Sequence, residues 1–324
     1  MYKSFFKLQS NPFAGSPDPR FLYMMPHTRE ALATLEYGIS AHKGFIVLTG
    51  EVGTGKTTLL RRALGSLDQS RVFSSFVFNP RLDVLDFLEF ILTDFGVPIK
   101  QRNKSGMLIQ LYRWLVERFR NKETCVILVD EAQDLDWELL EEIRLLTNLE
   151  TASEKLVQIV LSGQPELEEK LRAPELRQLR QRISLWARTH AITAEQTASY
   201  IAQRLLIAGS NEHIFTEDAV ASIHRASRGI PRIINLLCEH ALILAYVEQI
   251  RQIPALMIES VARDLDLDPQ PFMVSSTHSS LSVTQTTAQS GQTAAPPVFP
   301  PQQDGKSSPI STQPTAPISG GDPQ

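Results

Sequence analysis

Nine residues constrain this chain more than any others: Gly50-Glu51-Val52-Gly53-Thr54-Gly55-Lys56-Thr57-Thr58. They follow the pattern G-x-x-x-x-G-K-[ST]. The apolar run Phe45-Ile46-Val47-Leu48 precedes them, and a helix-forming stretch, Thr58 to Leu67, follows. A strand, a glycine-rich loop and a helix in that order leave the first N–H groups of the helix without internal partners and aimed at an anion. The glycines let the loop curl where a Cβ would obstruct phosphate oxygens. Lys56 is placed to neutralise β- and γ-phosphates, and Thr57 to hold Mg²⁺ through its hydroxyl. Gly50 to Thr58 therefore reads as the phosphate cradle for a nucleoside triphosphate, ATP with Mg²⁺.

The second informative stretch is Thr124-Cys125-Val126-Ile127-Leu128-Val129-Asp130-Glu131. Its apolar residues run without alternation, the mark of a strand covered on both faces in a parallel sheet. A pair of acids at the end of such a strand is costly unless it faces a cation or a wet cleft. Downstream of a P-loop it reads as a Walker B motif. Asp130 joins the Mg²⁺ shell, and Glu131 orients and deprotonates the attacking water. The next strand, Lys155 to Leu161, ends in Ser162-Gly163-Gln164-Pro165. A polar side chain at that tip can reach the γ-phosphate; Gln164 is the first candidate and Ser162 the second, with simple turn chemistry as the alternative.

Around these motifs strands and helices alternate. Val72 to Phe78 and Ile183 to Ile192 supply two more strands. Leu82 to Phe95, Leu108 to Arg120, Asp134 to Leu149 and Glu166 to Arg182 have helical spacing. The expected fold is α/β: a three-layer P-loop core with a parallel five-stranded sheet between helices. From Thr193 the pattern is helical only, with Thr193 to Gln196 fitting a capping box, Thr216 a helix cap and Pro231 a first helical position. Four expected domains follow: an N-terminal strap and helix (1–43), the nucleotide-binding core (44–192), a small helical domain (193–268) and a tail (269–324). The tail is rich in Ser, Thr, Pro and Gln, cannot bury enough surface to offset its ordering entropy, and is expected to be disordered. Aromatics of the strap, Phe13, Phe21 and Tyr23, and the three tryptophans, Trp114, Trp137 and Trp186, are assigned to packing.

Composition narrows the partners. Thirty-two Lys and Arg against 36 Asp and Glu leave a net charge of −4, with no excess to attract nucleic acid. Two cysteines far apart give no disulfide framework and fit a reducing cytoplasm. No long apolar stretch marks a signal or a membrane span. The histidines show no ligand spacing, so Mg²⁺ is the only metal expected.

The order Gly50–Thr57, Asp130-Glu131-Ala132-Gln133, Leu176-Arg177-Gln178-Leu179-Arg180-Gln181-Arg182 and Gly229-Ile230-Pro231-Arg232 resembles the AAA+ ATPases. Asn11-Pro12-Phe13, Pro19-Arg20-Phe21-Leu22-Tyr23, Asn148-Leu149-Glu150 and Gly163-Gln164-Pro165-Glu166-Leu167 narrow the resemblance to the general secretion pathway protein A type, over about residues 1–268. It implies that the helical segment is an AAA+ lid and that Arg232 is its phosphate-contacting sensor. It implies an arginine finger before the fifth strand, Arg182 first and Arg180 second, with Arg177 also in the segment. A finger acting on a neighbouring subunit implies a homo-oligomer, expected to be a ring. Longer members continue into a membrane span and a peptidoglycan-binding domain. In that place the sequence offers only the Ser/Thr/Pro/Gln-rich tail, so neither membrane anchoring nor direct cell-wall binding is expected, and the layout resembles shorter relatives of exopolysaccharide systems. The resulting expectation is a cytoplasmic ATPase, held at the inner membrane at most through a partner, that drives or regulates assembly of an envelope secretion or exopolysaccharide export apparatus. A DNA-associated ATPase of the transposition-helper kind and a nucleotide-dependent scaffold without turnover are the alternatives.

Overall fold

In the computed structural model, residues 1–267 are described, except Pro17, Asn79, Pro80 and Ser153; the tail expected to be disordered lies outside the described residues. Five strands form one parallel sheet: β1 (Phe45–Thr49), β2 (Val72–Val77), β3 (Thr124–Val129), β4 (Gln158–Gly163) and β5 (Leu185–Arg188), in the order β2-β3-β4-β1-β5. Leu48 pairs with Ser162, Thr49 with both Gly163 and Arg188, and Val129 with Val77 and Leu161. This register brings the C-terminal ends of β1, β3 and β4 side by side. Connections leave in opposite directions there, which opens a crevice at the strand ends.

Side-chain alternation divides the apolar strands between two cores. Ile46, Leu48, Val126, Leu128 and Val160 face α2 (Pro26–Ser40) and α3 (Lys56–Ser66). Phe45, Val47, Ile127, Val129, Ile159 and Leu161 face α4 (Val84–Asp94), α5 (Lys104–Arg120), α6 (Trp137–Leu146) and α7 (Pro165–Arg172). The expected three-layer α/β architecture is present.

After α8 (Arg177–Arg180) and β5, four helices form a bundle: α9 (Ala194–Ile207), α10 (Glu217–Ser227), α11 (Pro231–Val247) and α12 (Ala255–Asp264). Thr193 caps α9 through the full capping box with Gln196, Thr216 caps α10, and Pro231 opens α11. The N-terminal segment, with its short helix α1 (Tyr2–Phe5), shares the bundle's core, because Phe6, Leu8, Phe13 and Met25 pack among Tyr200, Ile201, Phe215 and Leu242.

Some boundaries differ from the sequence pattern. The stretch Glu166 to Arg182 is interrupted: after α7 comes a 3₁₀ turn, Pro174–Leu176, and then α8. Pro174 has no N–H to give and pushes Ala173 to an extended ψ of 142°. Asp136 caps α6 by accepting from Leu139 N–H, so Asp134 belongs to a separate 3₁₀ turn, Ala132–Asp134. Helix α5 starts at Lys104, ahead of the expected Leu108, because Asn103 caps it by accepting from Gly106 N–H. Trp114 packs in the core against Phe73 and Phe95. Trp137, assigned to packing, is instead 48% exposed, with Lys170 Nζ 5.9 Å from its ring centroid.

Candidate nucleotide site

Helix α3 begins at Lys56, and its cap, Gly55, has φ 99°. An added Cβ there would meet nothing within 4 Å, so the requirement for glycine is one of backbone angle, not of space. Two contacts tie the loop to the C-terminal part of the chain. Thr54 Oγ1 lies 2.7 Å from Thr189 Oγ1, just beyond β5. Gly53 C=O accepts from Arg232 N–H at 3.1 Å, at the start of α11.

Lys56 is buried, and its Nζ donates to the carbonyls of Gly50 (2.8 Å) and Glu51 (3.2 Å) in its own loop. Burial draws its pKa below the ordinary lysine value, while the charges of Glu131 and Asp130 pull the other way. Asp130, 7% exposed, is held on both oxygens: Thr57 Oγ1 donates to Oδ2 and Ser162 Oγ to Oδ1, each at 2.8 Å. Glu131 N–H also reaches Oδ1 at 3.1 Å. The Thr57 hydroxyl and the Asp130 carboxylate form a hard-oxygen pair of the kind Mg²⁺ takes while keeping most of its water. The residues fit that ion.

Glu131 follows with φ 52° and ψ 39°, a left-handed conformation that costs a non-glycine residue about 1–3 kcal/mol. Burial pushes its carboxyl up, but hydrogen bonds from Gln133 and Gln164 and the charge of Lys56 together hold it below the usual glutamate value. The two strand-tip candidates thus separate, with Ser162 meeting Asp130 and Gln164 meeting Glu131 at 3.2 Å.

A cavity of about 640 Å³ runs from this loop towards the N-terminal segment. Its lining joins Val52 to Thr58, Glu131 and Arg232 with Phe21, Tyr23, His27, His190 and Tyr200. Phe21 and Tyr23, assigned to packing, pack and also line the cavity. Arg180 and Arg182 are exposed, as is Arg177, and none of the three lines this cavity. Gln133 was legible only as part of a motif, without a role. Nothing in the sequence places it against Gln164. Nor was Arg204 evident: it is buried in α9, and its Nε donates to Pro12 C=O at 2.6 Å.

The family model described as AAA domain matches residues 39–171. General secretion pathway protein A of Aeromonas hydrophila is 44% identical over 247 residues, which is 76% of this chain; the chain covers 45% of that protein's length. Cdc6p from Pyrobaculum aerophilum superposes with a TM-score of 0.62 at 17% identity, over 81% of this chain and 70% of that one. The Aeropyrum pernix ORC2 protein in its ADP form gives 0.57 at 14% identity, over 76% and 72%. At these identities the structural likeness is one of fold. Among the described residues no helix is long and apolar enough to cross a membrane. The loop, the acid pair and these matches together establish that the chain carries a nucleotide-binding AAA domain in the P-loop AAA+ fold, related in sequence to general secretion pathway protein A.

Proposed function

We propose that this chain is an oligomeric Mg²⁺-dependent ATPase whose cycle drives or regulates assembly of a cell-envelope secretion or exopolysaccharide export system. One observation carries the catalytic part: Asp130 is bracketed by Thr57 and Ser162, and Thr57, Lys56 and Glu131 line one cavity. Thr57 and Asp130 would hold Mg²⁺, which when bound offsets charge on the phosphate oxygens. Lys56 exchanges the carbonyls of its own loop for phosphate oxygens, which suits a cation already short of water. Glu131 takes the proton of the attacking water. Gln164 steadies that carboxylate, and Gly50 to Thr58 supply the cradle. The helical bundle acts as a lid, with Arg232 directed at phosphate, where a guanidinium binds in two-pronged fashion.

Arg182, with Arg180 as second choice, is proposed to complete the site of a neighbouring copy; both are exposed and neither lines its own cavity, which supports action in trans. Similarity to general secretion pathway protein A supports the secretion role. Two free, buried cysteines suit a cytoplasmic location, with attachment to the inner membrane through a partner.

ATP hydrolysis across a protein concentration series, beside Glu131→Gln and Arg182→Ala, tests this. Specific activity is expected to rise with concentration, and both variants to bind ATP yet turn over slowly, by about a hundredfold or more. Binding without turnover at every concentration would favour a nucleotide-dependent scaffold. A salt-sensitive stimulation by DNA would favour a nucleic-acid partner.

A further inference from the structure

Gln133 has no part in the activity set out above, yet it is the side chain most closely tied to the reacting carboxylate. Its Nε2 donates to Glu131 Oε2 at 2.9 Å, and Gln164 Nε2 donates to the same oxygen at 3.2 Å. Gln133 Oε1 accepts from the backbone N–H of Gln164 at 3.1 Å, which fixes the end of the amide that faces Glu131. Gly163 makes room for this crossing: a Cβ there would stand 3.0 Å from Gln133 Oε1 and 2.8 Å from Leu167 Cδ2. Lys170 Nζ holds the same loop from below, donating to the carbonyls of Gln133 and Leu135. Gln164 occupies the N-cap position of α7 and Lys170 lies in its last turn. Side chain and loop backbone are therefore both fastened to one helix.

Both amides meet on Oε2. Among the described residues nothing hydrogen-bonds Oε1, and Glu131 lines the nucleotide cavity. We propose that Gln133 is a positioning residue that fastens Oε2 of Glu131 to the start of α7, so that Oε1 is the oxygen offered to the attacking water. This rests on the reading of Glu131 as the general base. The left-handed backbone of Glu131 gives the anchor its purpose, because a residue in a sparsely populated conformation needs its surroundings to hold it. Helix α7 leads through the turn at Pro174 to Arg177–Arg180. The carboxylate and the arginine segment are thus attached to the same short helix.

The test compares the full chain with Gln133→Leu, Glu131→Gln and the double variant, measuring ATP affinity and turnover separately. Gln133→Leu is expected to lower kcat about tenfold with ATP affinity unchanged, the loss that follows when a charged group gives up one hydrogen bond. In the Glu131→Gln background the same change is expected to cost nothing further. Equal losses in both backgrounds, or a loss of affinity matching the loss of rate, would overturn the proposal. Full turnover by Glu131→Gln would instead remove the general-base reading on which it rests. A second comparison needs no turnover: the shift in urea midpoint caused by Gln133→Leu is expected to be smaller in a Glu131→Ala background, where only the bond from Gln164 N–H remains to be lost. A shift of the same size in both backgrounds would show that the anchor does not exist.

Discussion

Asp130 lies almost beyond the reach of bulk water, and a carboxylate there is costly unless each oxygen has a donor. Thr57, Ser162 and the Glu131 N–H provide them. Ser162→Ala leaves Oδ1 with one donor, and urea denaturation is expected to register a loss of about 1–2 kcal/mol. An unchanged midpoint would mean that the hydroxyl is idle. The cysteines give a simpler check. Burial pushes Cys125 up to about 12 and Cys238 well above the usual thiol value. Both are expected to stay protonated at pH 8 and to react with a thiol reagent only once the chain is unfolded. Much of this site was legible in the chain. Gly50 to Thr57 and Asp130-Glu131 announce themselves because phosphate and metal chemistry demand fixed residue types at fixed spacing. Gln133 and Gln164 meet across 31 residues, and no local pattern encodes a meeting set by the register of β3 against β4.

At the scale of elements, strands were the easiest to foresee, since β1, β3 and β4 are buried on both faces and read as unbroken apolar runs. Helix continuity was harder. Helical spacing through residues 166–182 hid the break at Pro174, which backbone chemistry imposes whatever the side-chain periodicity. The packing of the N-terminal strap through its aromatics was legible, but its buried anchor, Arg204, was not. Arg204 Nε and Nη1 reach the carbonyls of Pro12 and Phe21, and its guanidinium lies 4.7 Å from the Phe21 ring centre. Arg204→Ala is expected to cost about 2–4 kcal/mol, because buried carbonyls and stacked aromatic surface lose their partner together. Protease cleavage between residues 5 and 25 is expected to accelerate in the variant, and an unaltered cleavage rate would count against the anchor.

A second tie, at α7, is sensitive to pH. Hydrogen bonds from Arg188 hold Glu168 below the usual glutamate value; burial opposes them, and Thr49 and the charges of Arg188 and Arg172 add to them. Its stabilising contribution is therefore complete above the unfolded pKa, about 4.3. It is lost as pH falls through the lower folded value. Glu168→Gln is expected to flatten that part of the stability curve, as measured by urea midpoints from pH 3 to 6.

For the whole molecule, the order β2-β3-β4-β1-β5 puts the last strand against the first, so the chain leaves the sheet for the bundle right beside the P-loop. Thr189, one residue past β5, touches Thr54, and Ile192 N–H then meets Gly229 C=O. At Gly229, φ is 74° and a Cβ would come within 2.0 Å of Ile192 C=O. Gly229→Ala is therefore expected to destabilise the bundle by more than about 1 kcal/mol. Amide hydrogen exchange in α9 to α11 would report it, and unchanged protection would contradict it.

The contact between Gly53 C=O and Arg232 N–H has a mechanical meaning. Helix α11 has 17 residues and extends roughly 25 Å from that contact. Were it to tilt as a rigid rod about Ile230-Pro231, it would act as a lever whose short arm is that contact with the phosphate loop. A tilt of about 5° moves its far end by roughly 2 Å, by the same helix geometry. Such leverage would run in both directions: small shifts at the loop would become displacements at Val247, and a modest pull at Val247 would become a large torque on the loop.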